Sequence, residues 1–385
     1  MHFNGFVREN GDVGIRNHLL ILSSVVCANT VAANIASGIP EARLITHQHG
    51  CSQIGVDKET TLKILSGMGK NPNVGAVLVV GLGCETIHAG LIAQEIAKTG
   101  KPVETLVIQE VGGTLATTEK GIMIGRKLML ALAEQKRESI SIERLTLGTE
   151  CGGSDAYSGL SANPALGAAS DMLVDLGSRV ILSETTEFIG AEHILCKRAV
   201  NSQVASQIKR IVADREMDCL KLKVDIRGAQ PSPGNIAGGL TTIEEKSLGC
   251  IYKGGSRPIV QVVGYGDEST QQGLVIMDTP GNDVESITGM AAGGAQLVVF
   301  TTGRGTPVGC PIVPVIKVST NNKTYELMEE NIDINAGTII SGEGKIDQVG
   351  ANIFEEILKT ANGKLTKAEK LGHFEFGLSR LGPSL

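Results

Sequence analysis

Short apolar runs alternate with amphipathic stretches through the first 145 residues of the chain. The runs are rich in β-branched residues and end in glycine or polar turns, as buried strands do; they cover 19–26, 43–46, 76–80 and 104–108. The apolar spacing of helices is found at 58–68, 91–98 and 121–136. This alternation predicts β-α-β units with a parallel sheet. We therefore expect a first α/β domain over 1–140, with 137–142 as a polar link.

The same alternation continues after this link and predicts a second α/β domain over 141–385. Its strands are expected at 144–148, 179–182, 258–263, 273–278 and 296–300, and its helices at 162–176, 189–214 and 283–292. Residues 228–242 are too rich in Gly and Pro for regular structure and predict a long functional or mobile loop. The charged tail after about residue 363 is expected to be peripheral. The predicted fold class is α/β, with two Rossmann-like units, mainly parallel sheets and a site at the carboxyl ends of the strands.

Polar, acidic or sulfur-bearing residues follow seven of the apolar runs. These clusters hold four of the eight cysteines and two of the seven histidines, and they occupy 26–29, 46–51, 81–85, 110–113, 148–155, 183–187 and 301–305. Because the carboxyl ends of parallel strands share one edge, ligands bind in the crevice at that edge. The pattern therefore predicts an enzyme site assembled from segments that are distant in sequence.

Composition narrows the class of protein. Apolar residues make up 42% of the 385 residues, and the net charge of -6 comes without any basic block, which disfavours nucleic acid as a partner. No apolar run approaches the length of a membrane span, and the first residues lack the order of a signal peptide. The eight cysteines form no compact disulfide framework. We expect a cytoplasmic enzyme without a membrane segment.

Three familiar catalytic signatures are missing or weak. The chain has no phosphate loop ending in Gly-Lys-Ser/Thr, and no Gly-x-Ser-x-Gly motif of serine hydrolases. A dinucleotide-binding interpretation of 81–85 lacks the third glycine at the start of a helix. Nucleotide-driven phosphoryl transfer and serine hydrolysis are therefore disfavoured, which leaves metal-assisted acid/base chemistry.

One segment offers several metal-binding side chains at short spacing. On an extended segment, His47, His49 and Cys51 would lie on the same face, so two imidazoles and a thiol could reach one ion. The alternative is that one histidine caps a turn and Cys51 is a small core residue. The other cysteines do not show the paired spacing of structural zinc, so a closed zinc site is disfavoured.

Several motifs follow one another along the chain. The first is the opening 5–17, and the further motifs are His47-Gln48-His49-Gly50-Cys51, Gly83-Cys84-Glu85, Glu150-Cys151-Gly152-Gly153-Ser154-Asp155, Ser183-Glu184-Thr185-Thr186-Glu187, Ser232-Pro233-Gly234-Asn235, Met277-Asp278-Thr279-Pro280-Gly281 and Thr301-Thr302-Gly303-Arg304-Gly305. Over about 5–350 they resemble, in order, the motifs of the altronate and galactarate dehydratase family, which includes the large subunit of sulfolactate sulfo-lyase.

The resemblance implies a lyase that removes the β-substituent of a 2-hydroxy acid. A sugar-acid dehydratase of the altronate type would give a 2-keto-3-deoxy acid, and a sulfolactate sulfo-lyase would give pyruvate and sulfite. Single-chain dehydratases of the family carry a small antifreeze-like (SAF) domain before the opening motif, whereas only four residues precede it here. We therefore expect a separate small subunit of SAF fold, and a homo-oligomer of the large subunit.

Loss of the proton next to a carboxylate builds up negative charge, which a divalent ion can stabilise as a Lewis acid. The expected ion is Fe2+, or alternatively Mn2+. From their motif positions, the expected metal or metal-supporting residues are His47, His49, Cys51, Glu150 and Cys151. The expected catalytic residues are Glu85 or Glu187 for proton transfer, and Arg304 with Asn235 for the substrate carboxylate and hydroxyls.

Two other interpretations remain open at this stage. One is a non-catalytic subunit that binds sugar acids; the retention of polar residues at so many strand ends speaks against it. The other is an iron-sulfur cluster instead of a single ion, with Cys51, Cys84, Cys151 and Cys310 as ligands. Scattered cysteines can hold such a cluster, so their spacing does not exclude it.

Overall fold

The structure, a computed structural model, describes residues 1–382. Its strands are β1 (His2–Val7), β2 (Val13–Gly14), β3 (His18–Ser23), β4 (Arg43–Ile45), β5 (Val74–Gly81), β6 (Val103–Val107), β7 (Glu138–Ser141), β8 (Thr146–Gly152), β9 (Arg179–Leu182), β10 (Ile259–Val263), β11 (Gly273–Met277), β12 (Leu297–Thr302), β13 (Val315–Ser319) and β14 (Ile334–Asn335). They form three sheets, two of which are entirely parallel.

Helices separate most of the consecutive strands. They are α1 (Asn29–Ser37), α2 (Gly55–Lys70), α3 (Ala89–Ala97), α4 (Ile108–Val111), α5 (Thr114–Ala133), α6 (Ala162–Asp175), α7 (Glu192–Lys197), α8 (Ser202–Lys221), α9 (Ile226–Ala229), α10 (Pro233–Ala237), α11 (Ile243–Cys250), α12 (Asp283–Ala292), α13 (Asn322–Leu327), α14 (Gly337–Ile340), α15 (Ile346–Ala361) and α16 (Lys367–Leu371). Within residues 1–382, none of these helices has the length and apolar character needed to cross a lipid bilayer.

The first unit is built on a four-stranded parallel sheet in the order β4-β3-β5-β6. All eight residues of β5 are buried, because helices cover both faces of the sheet. Helices α1 and α5 pack on one face through residues such as Ile35 and Leu132, and α2 and α3 pack on the other through residues such as Leu65 and Ile92.

The second unit is built on a seven-stranded parallel sheet in the order β10-β11-β9-β8-β12-β13-β14. Helices α6 and α15 cover one face, and α12 covers the other. Helix α12 also packs on α2 of the first unit so closely that a Cβ atom at Gly67 would lie 2.7 Å from the carbonyl oxygen of Ala292. The two units thus share one apolar core, and the predicted α/β class with mainly parallel sheets is confirmed.

Two segments that were expected to lack regular structure form a strand and a helix. Residues 138–141, expected in a polar link, form β7, which pairs antiparallel with β1 and joins β2 in a small third sheet. This edge sheet was missed because only a few of its side chains, such as Phe3 at 2% exposure, are buried. The segment 228–242, expected to be irregular, contains α10 and the end of α9, since Ser232 caps α10 and Pro233 suits its first turn.

The expected helix at 189–214 is two helices, α7 and α8, because Asn201 caps the start of a new helix. Helix α8 then continues beyond the predicted end to Lys221. The tail after residue 363 folds back over both units. Glu369 pairs with Arg16 at 2.8 Å, and Asp57 in α2 accepts hydrogen bonds from the backbone of Leu381.

Candidate active site

The carboxyl edge of the seven-stranded sheet carries a group of buried ionisable side chains. Strand β8 carries Glu150 and Cys151 just before its last residue, Gly152, and its neighbour β9 leads into the turn with Glu184 and Glu187. None of the four is more than 3% exposed. Glu184 has a positive φ of 71°, which is unfavourable for a residue with a side chain and is typical of functional sites.

A lysine with no exposed surface lies among these acidic groups. The Nζ atom of Lys253 lies 2.5 Å from Glu184 Oε2, 2.9 Å from Glu187 Oε2 and 3.1 Å from Cys151 Sγ. Cys151 also donates a hydrogen bond to Glu187 Oε2 at 3.0 Å. A buried ammonium group requires such partners, because transfer of a lone charge from water into a protein interior is very unfavourable.

The ionisation states of this cluster depend on one another. Burial alone would lower the pKa of Lys253, but the surrounding acidic groups raise it, so the ammonium form persists. Burial alone would raise the pKa of Glu187, yet the ammonium groups of Lys253 and Lys246 hold that pKa well below its usual range. Burial and the charge of Glu187 raise the pKa of Glu184. Glu187 is therefore the carboxylate of this cluster that stays ionised.

Lys246 connects the buried cluster with a cavity. Its Nζ atom lies 3.1 Å from Glu187 Oε1, and this ion pair is the contact that the structure shows for that oxygen. The same side chain lines a cavity of about 290 Å³, together with Ser154 and Asp155. This volume is close to that of small ligand pockets, about 300 Å³. A small molecule in this cavity would contact the ammonium group of Lys246, which is itself paired with Glu187 behind it.

Three carboxylates form a second group, which shares Glu184 with the first. One oxygen from each of Glu150, Glu184 and Asp283 lies within 4.8 Å of the others. Burial, followed by the charge of Glu184, raises the pKa of Glu150 and raises that of Asp283 to about 7. Asp283 can take this place because its neighbour Gly152 has no side chain; a Cβ atom there would lie 2.4 Å from Asp283 Oδ2.

This second group fits a hard divalent cation. Glu150 Oε2 accepts hydrogen bonds from Ser286 and Ser183, but its buried Oε1 atom has no hydrogen-bond partner in residues 1–382. A cation would supply that partner and would relieve the mutual repulsion that raises these pKa values. Carboxylate oxygens are suitable ligands for Mg2+, Mn2+ and similar ions.

Arg304 and Asn235 lie near this edge but have different surroundings. Arg304 is exposed, donates a hydrogen bond to the carbonyl of Gly234 and lines a second cavity of about 590 Å³. Asp155 lines both cavities. Asn235 is buried, donates to the carbonyl of Ser154 at 3.0 Å and accepts from Ser232. Its amide therefore holds the 228–242 segment against the strand-end turn.

The histidines and Cys51 lie at the other sheet. His47 is buried, its Nε2 atom lies 2.9 Å from the carbonyl of Ser23, and its Nδ1 atom accepts from the backbone of His49. Burial lowers the pKa of His47 to about 4. Because β4 ends at Ile45 and Gly50 has a φ of 98°, the segment turns, and the three side chains do not share one face. His47 therefore agrees with the alternative in which a histidine stabilises a turn, because both of its ring nitrogens contact the backbone.

Glu85 also lies at the four-stranded sheet. Its carboxylate accepts hydrogen bonds from the backbone of Gly83 at 2.6 Å, the hydroxyl of Ser24 and the backbone of Ala89. These bonds outweigh the effect of burial, which would raise the pKa, so the pKa of Glu85 is lowered. This carboxylate shapes the turn after β5 and lies on a different sheet from Glu187.

Of the expected site residues, the structure therefore brings together Glu150, Cys151 and Glu187. Sequence reasoning missed Lys253 and Asp283. It also missed Cys250, whose Sγ atom lies 3.4 Å from that of Cys151. The sequence offered one indication for Asp283, because it follows the helix cap Asn282 in the polar segment after a strand. No local pattern marks Lys253, which lies in a short 3-10 turn.

Comparison with known proteins adds two family matches. Residues 5–133 match the family described as "D-galactarate dehydratase/Altronate hydrolase, second domain". Residues 142–384 match "D-galactarate/Altronate dehydratase, C-terminal". Together the matches include every residue of the buried cluster.

Individual relatives cover almost the whole chain. The altronate dehydratase of Bacillus subtilis is 38% identical over 100% of this chain and 78% of its own length. The (2R)-sulfolactate sulfo-lyase subunit beta of Chromohalobacter salexigens is 38% identical over 98% of this chain and 97% of its own length. The galactarate dehydratase (L-threo-forming) of Escherichia coli is 36% identical over 94% of this chain and 73% of its own length.

Proposed function

The chain belongs to the D-galactarate/altronate dehydratase family, and on this premise we propose that it is the large subunit of a metal-dependent lyase acting on a 2-hydroxy acid. The proposed substrate is a sugar acid of the altronate type, and the product is a 2-keto-3-deoxy acid. The observation that carries this proposal is the Glu187–Lys246 pair, which joins a fully buried charge cluster to a cavity.

This pair can perform the elimination as an acid and a base. Glu187 Oε1 takes the proton from C2, the C2 electron pair forms the C2–C3 double bond, and the C3–O bond breaks. The ammonium of Lys246 gives a proton to the departing hydroxyl, which leaves as water, and the enol then tautomerises to the keto acid. Protonated Glu187 and neutral Lys246 restore themselves by one proton transfer over their 3.1 Å separation.

The remaining residues are assigned supporting roles. Lys253 and Cys151 hold Glu187 in place and ionised through their contacts with its Oε2 atom. Arg304 offers a planar, exposed guanidinium for a substrate carboxylate in the second cavity. Asn235 acts indirectly, by holding the loop that carries Gly234, to which Arg304 is bonded.

Glu150, Glu184 and Asp283 are the proposed ligands of the divalent ion, with Fe2+ first and Mn2+ as the alternative. When bound, such an ion would stabilise the negative charge that develops on the substrate carboxylate after proton loss. The buried Glu150 Oε1 atom without a partner supports this assignment. His47, His49 and Cys51 are not included, because they belong to the other sheet.

A second candidate is sulfolactate sulfo-lyase activity, with sulfite as the leaving group and pyruvate as the product. It is supported by one observation: this chain covers 97% of the sulfo-lyase subunit beta. The name "subunit beta" also supports a partner for the present chain, and we propose a small subunit of SAF fold. Copurification of the chain with a coexpressed SAF protein would test this partner.

Anaerobic turnover separates the candidates. The chain, with and without the small subunit, is incubated with Fe2+ and altronate, galactarate or (R)-sulfolactate, and keto acid and sulfite are measured separately. We expect keto-deoxy acid without sulfite. Formation of sulfite and pyruvate would instead show that the chain is part of a sulfolactate sulfo-lyase. If none of the three substrates were converted with the small subunit present, both candidate functions would be contradicted.

The metal assignment has its own test. Mn2+ binding to the whole chain is measured by electron paramagnetic resonance in the wild type and in Glu150→Gln. The variant is expected to bind Mn2+ at least about tenfold more weakly, since loss of a ligand affects affinity at least as much as loss of an outer partner. Unchanged affinity would remove Glu150 from the site.

A further inference from the structure

The exposed cysteines of the chain all lie at one edge of the four-stranded sheet. Of the eight cysteines, which all fall within residues 1–382, only Cys27, Cys51 and Cys84 are exposed. Cys27 follows β3, Cys51 follows β4 and Cys84 follows β5. These three strands are neighbours in the order β4-β3-β5 and run in the same direction, so their carboxyl ends, and the three thiols, share one edge.

Hydrogen bonds join the three cysteine-bearing loops. The backbone N–H of Val26, next to Cys27, donates to the carbonyl of His49 at 3.0 Å. The N–H of Ile87, in the turn after Cys84, donates to the carbonyl of Gly50 at 3.1 Å. The loop before Cys51 is therefore bonded to both of the others.

The position of Gly50 makes this contact close and fixed. Its φ is 98°, and a Cβ atom there would lie only 2.2 Å from the carbonyl oxygen of Ser24. The four-stranded sheet thus brings its strand-end loops into direct backbone contact. Such rigid support is what a preformed metal site needs.

The spacing of the thiols indicates the kind of ligand. Neighbouring strands of a sheet are about 4.8 Å apart, and the three cysteines lie three to six residues beyond the ends of three neighbouring strands. In the described part of the chain, the ligand atoms of these residues do not form a group within 4.8 Å, unlike those around Cys151 and Glu150. One ion needs closely grouped ligands, whereas thiolates at wider spacing suit a cluster of several irons.

A buried amide group close in sequence to Cys51 also lacks a partner. The Nε2 atom of Gln53, two residues from Cys51, has no hydrogen-bond partner although the residue is only 2% exposed. An amide N–H group is a typical donor to the sulfur atoms of iron-sulfur clusters. Gln109 already donates to Cys84 Sγ at 3.7 Å.

We propose that Cys27, Cys51 and Cys84 hold a [4Fe–4S] cluster at the carboxyl edge of the four-stranded sheet. Each thiol loses its proton to solvent and bonds one iron, so that the fourth iron keeps a position open for an oxygen ligand. Neither Cys151 nor Cys310 takes part, because both are buried and lie in the second unit. This site is separate from the carboxylate site proposed above and does not depend on it.

Anaerobic reconstitution of the full chain with Fe2+ and sulfide tests this proposal. The wild type should bind about four iron and four acid-labile sulfide ions per chain and acquire the visible absorption of sulfide-to-iron charge transfer. Cys27→Ser, Cys51→Ser and Cys84→Ser should each lose more than half of that absorption. Cys219→Ser, a substitution on helix α8, is the matched control and should retain it.

Alkylation gives a readout without substitution. Iodoacetamide should modify Cys27, Cys51 and Cys84 rapidly in the metal-free chain and slowly after reconstitution, as mass spectrometry of peptides would show. Iron or zinc bound without sulfide, equal retention of absorption by all four variants, or equal alkylation before and after reconstitution would each overturn the cluster. None of these outcomes bears on lyase turnover by Glu187, which is measured separately.

Discussion

The carboxyl edges of the two parallel sheets arise from similar sequences but have different chemistry. An apolar strand ends near Cys84-Glu85 in the first unit and at Glu150-Cys151 in the second. Glu85 accepts hydrogen bonds from backbone N–H groups, whereas Glu150 lies among other carboxylates and keeps one oxygen unpaired. A strand end therefore predicts where a polar residue lies, but its neighbours decide what that residue does.

The same contrast holds for the sulfur atoms. Cys84 is exposed at the four-stranded sheet, while Cys151 is buried, 3.1 Å from the Nζ atom of Lys253. The second edge is closed and internally ion-paired, and the first is open. We therefore assign acid/base chemistry to the seven-stranded sheet and thiol ligation to the four-stranded sheet.

Among the substitutions considered for stability, removal of Lys253 should lower the free energy of unfolding most. Lys253→Met leaves Glu184 and Cys151 without their ammonium partner and leaves Glu187 with Lys246 alone. The free energy of unfolding should fall by about 3 to 5 kcal/mol, as for other buried pairs that lose one partner. Chemical denaturation monitored by circular dichroism measures this change.

The control for this variant is Lys221→Met, which removes an exposed ion pair with Asp218. Its effect should stay within about 0.5 kcal/mol, because exposed pairs contribute little. Equal effects of the two substitutions would show that the buried cluster has no special role in stability.

Much of the fold could be predicted from the sequence because its strands are uniformly apolar. Strand β5, with every residue buried, follows directly from the run at 76–80. Strand β7 could not be predicted, because its partner β1 is far away in sequence and its side chains are mostly exposed. Pairing between distant segments leaves no local signal in such a strand.

The site was predictable only as far as it follows strand ends. Glu150, Cys151 and Glu187 are next to apolar runs and were identified. Lys253 belongs to a turn after α11, and only the three-dimensional packing of that turn on β9 brings its ammonium to the cluster. His47 and Glu85 also follow apolar runs, but they lie at the four-stranded sheet, away from the buried cluster. Their hydrogen bonds to the backbone cannot be inferred from residue type.

The pH dependence of stability should differ in sign between the two edges, with a smaller effect than loss of Lys253. In the metal-free chain, burial and the charge of Glu184 raise the pKa of Asp283 to about 7, against an ordinary value of 3.8. Between these values the folded state binds more protons than the unfolded state, so Asp283 reduces stability as the pH rises from about 4 to about 7. Asp283→Asn should therefore gain stability relative to wild type over this range.

Glu85 should behave in the opposite way, because its hydrogen bonds lower its pKa below the ordinary value of 4.5. Its contribution is present above that value and is lost as the pH falls through the folded-state pKa. Glu85→Gln should be less stable than wild type near neutral pH and approach it in acid. Thermal unfolding from pH 3 to pH 8 tests both variants, and parallel curves for the two would contradict the comparison.

The most direct test of the central claim compares turnover by two glutamate variants that differ only in the sheet on which they lie. Both Glu187→Gln and Glu85→Gln are assayed on the sugar acid that the wild type converts, with metal and small subunit present and folding checked by circular dichroism. We predict that kcat falls about 10² to 10⁴-fold in Glu187→Gln, as for loss of a general base, and less than about tenfold in Glu85→Gln. A larger loss in Glu85→Gln, with Glu187→Gln still active, would move the acid/base chemistry to the four-stranded sheet.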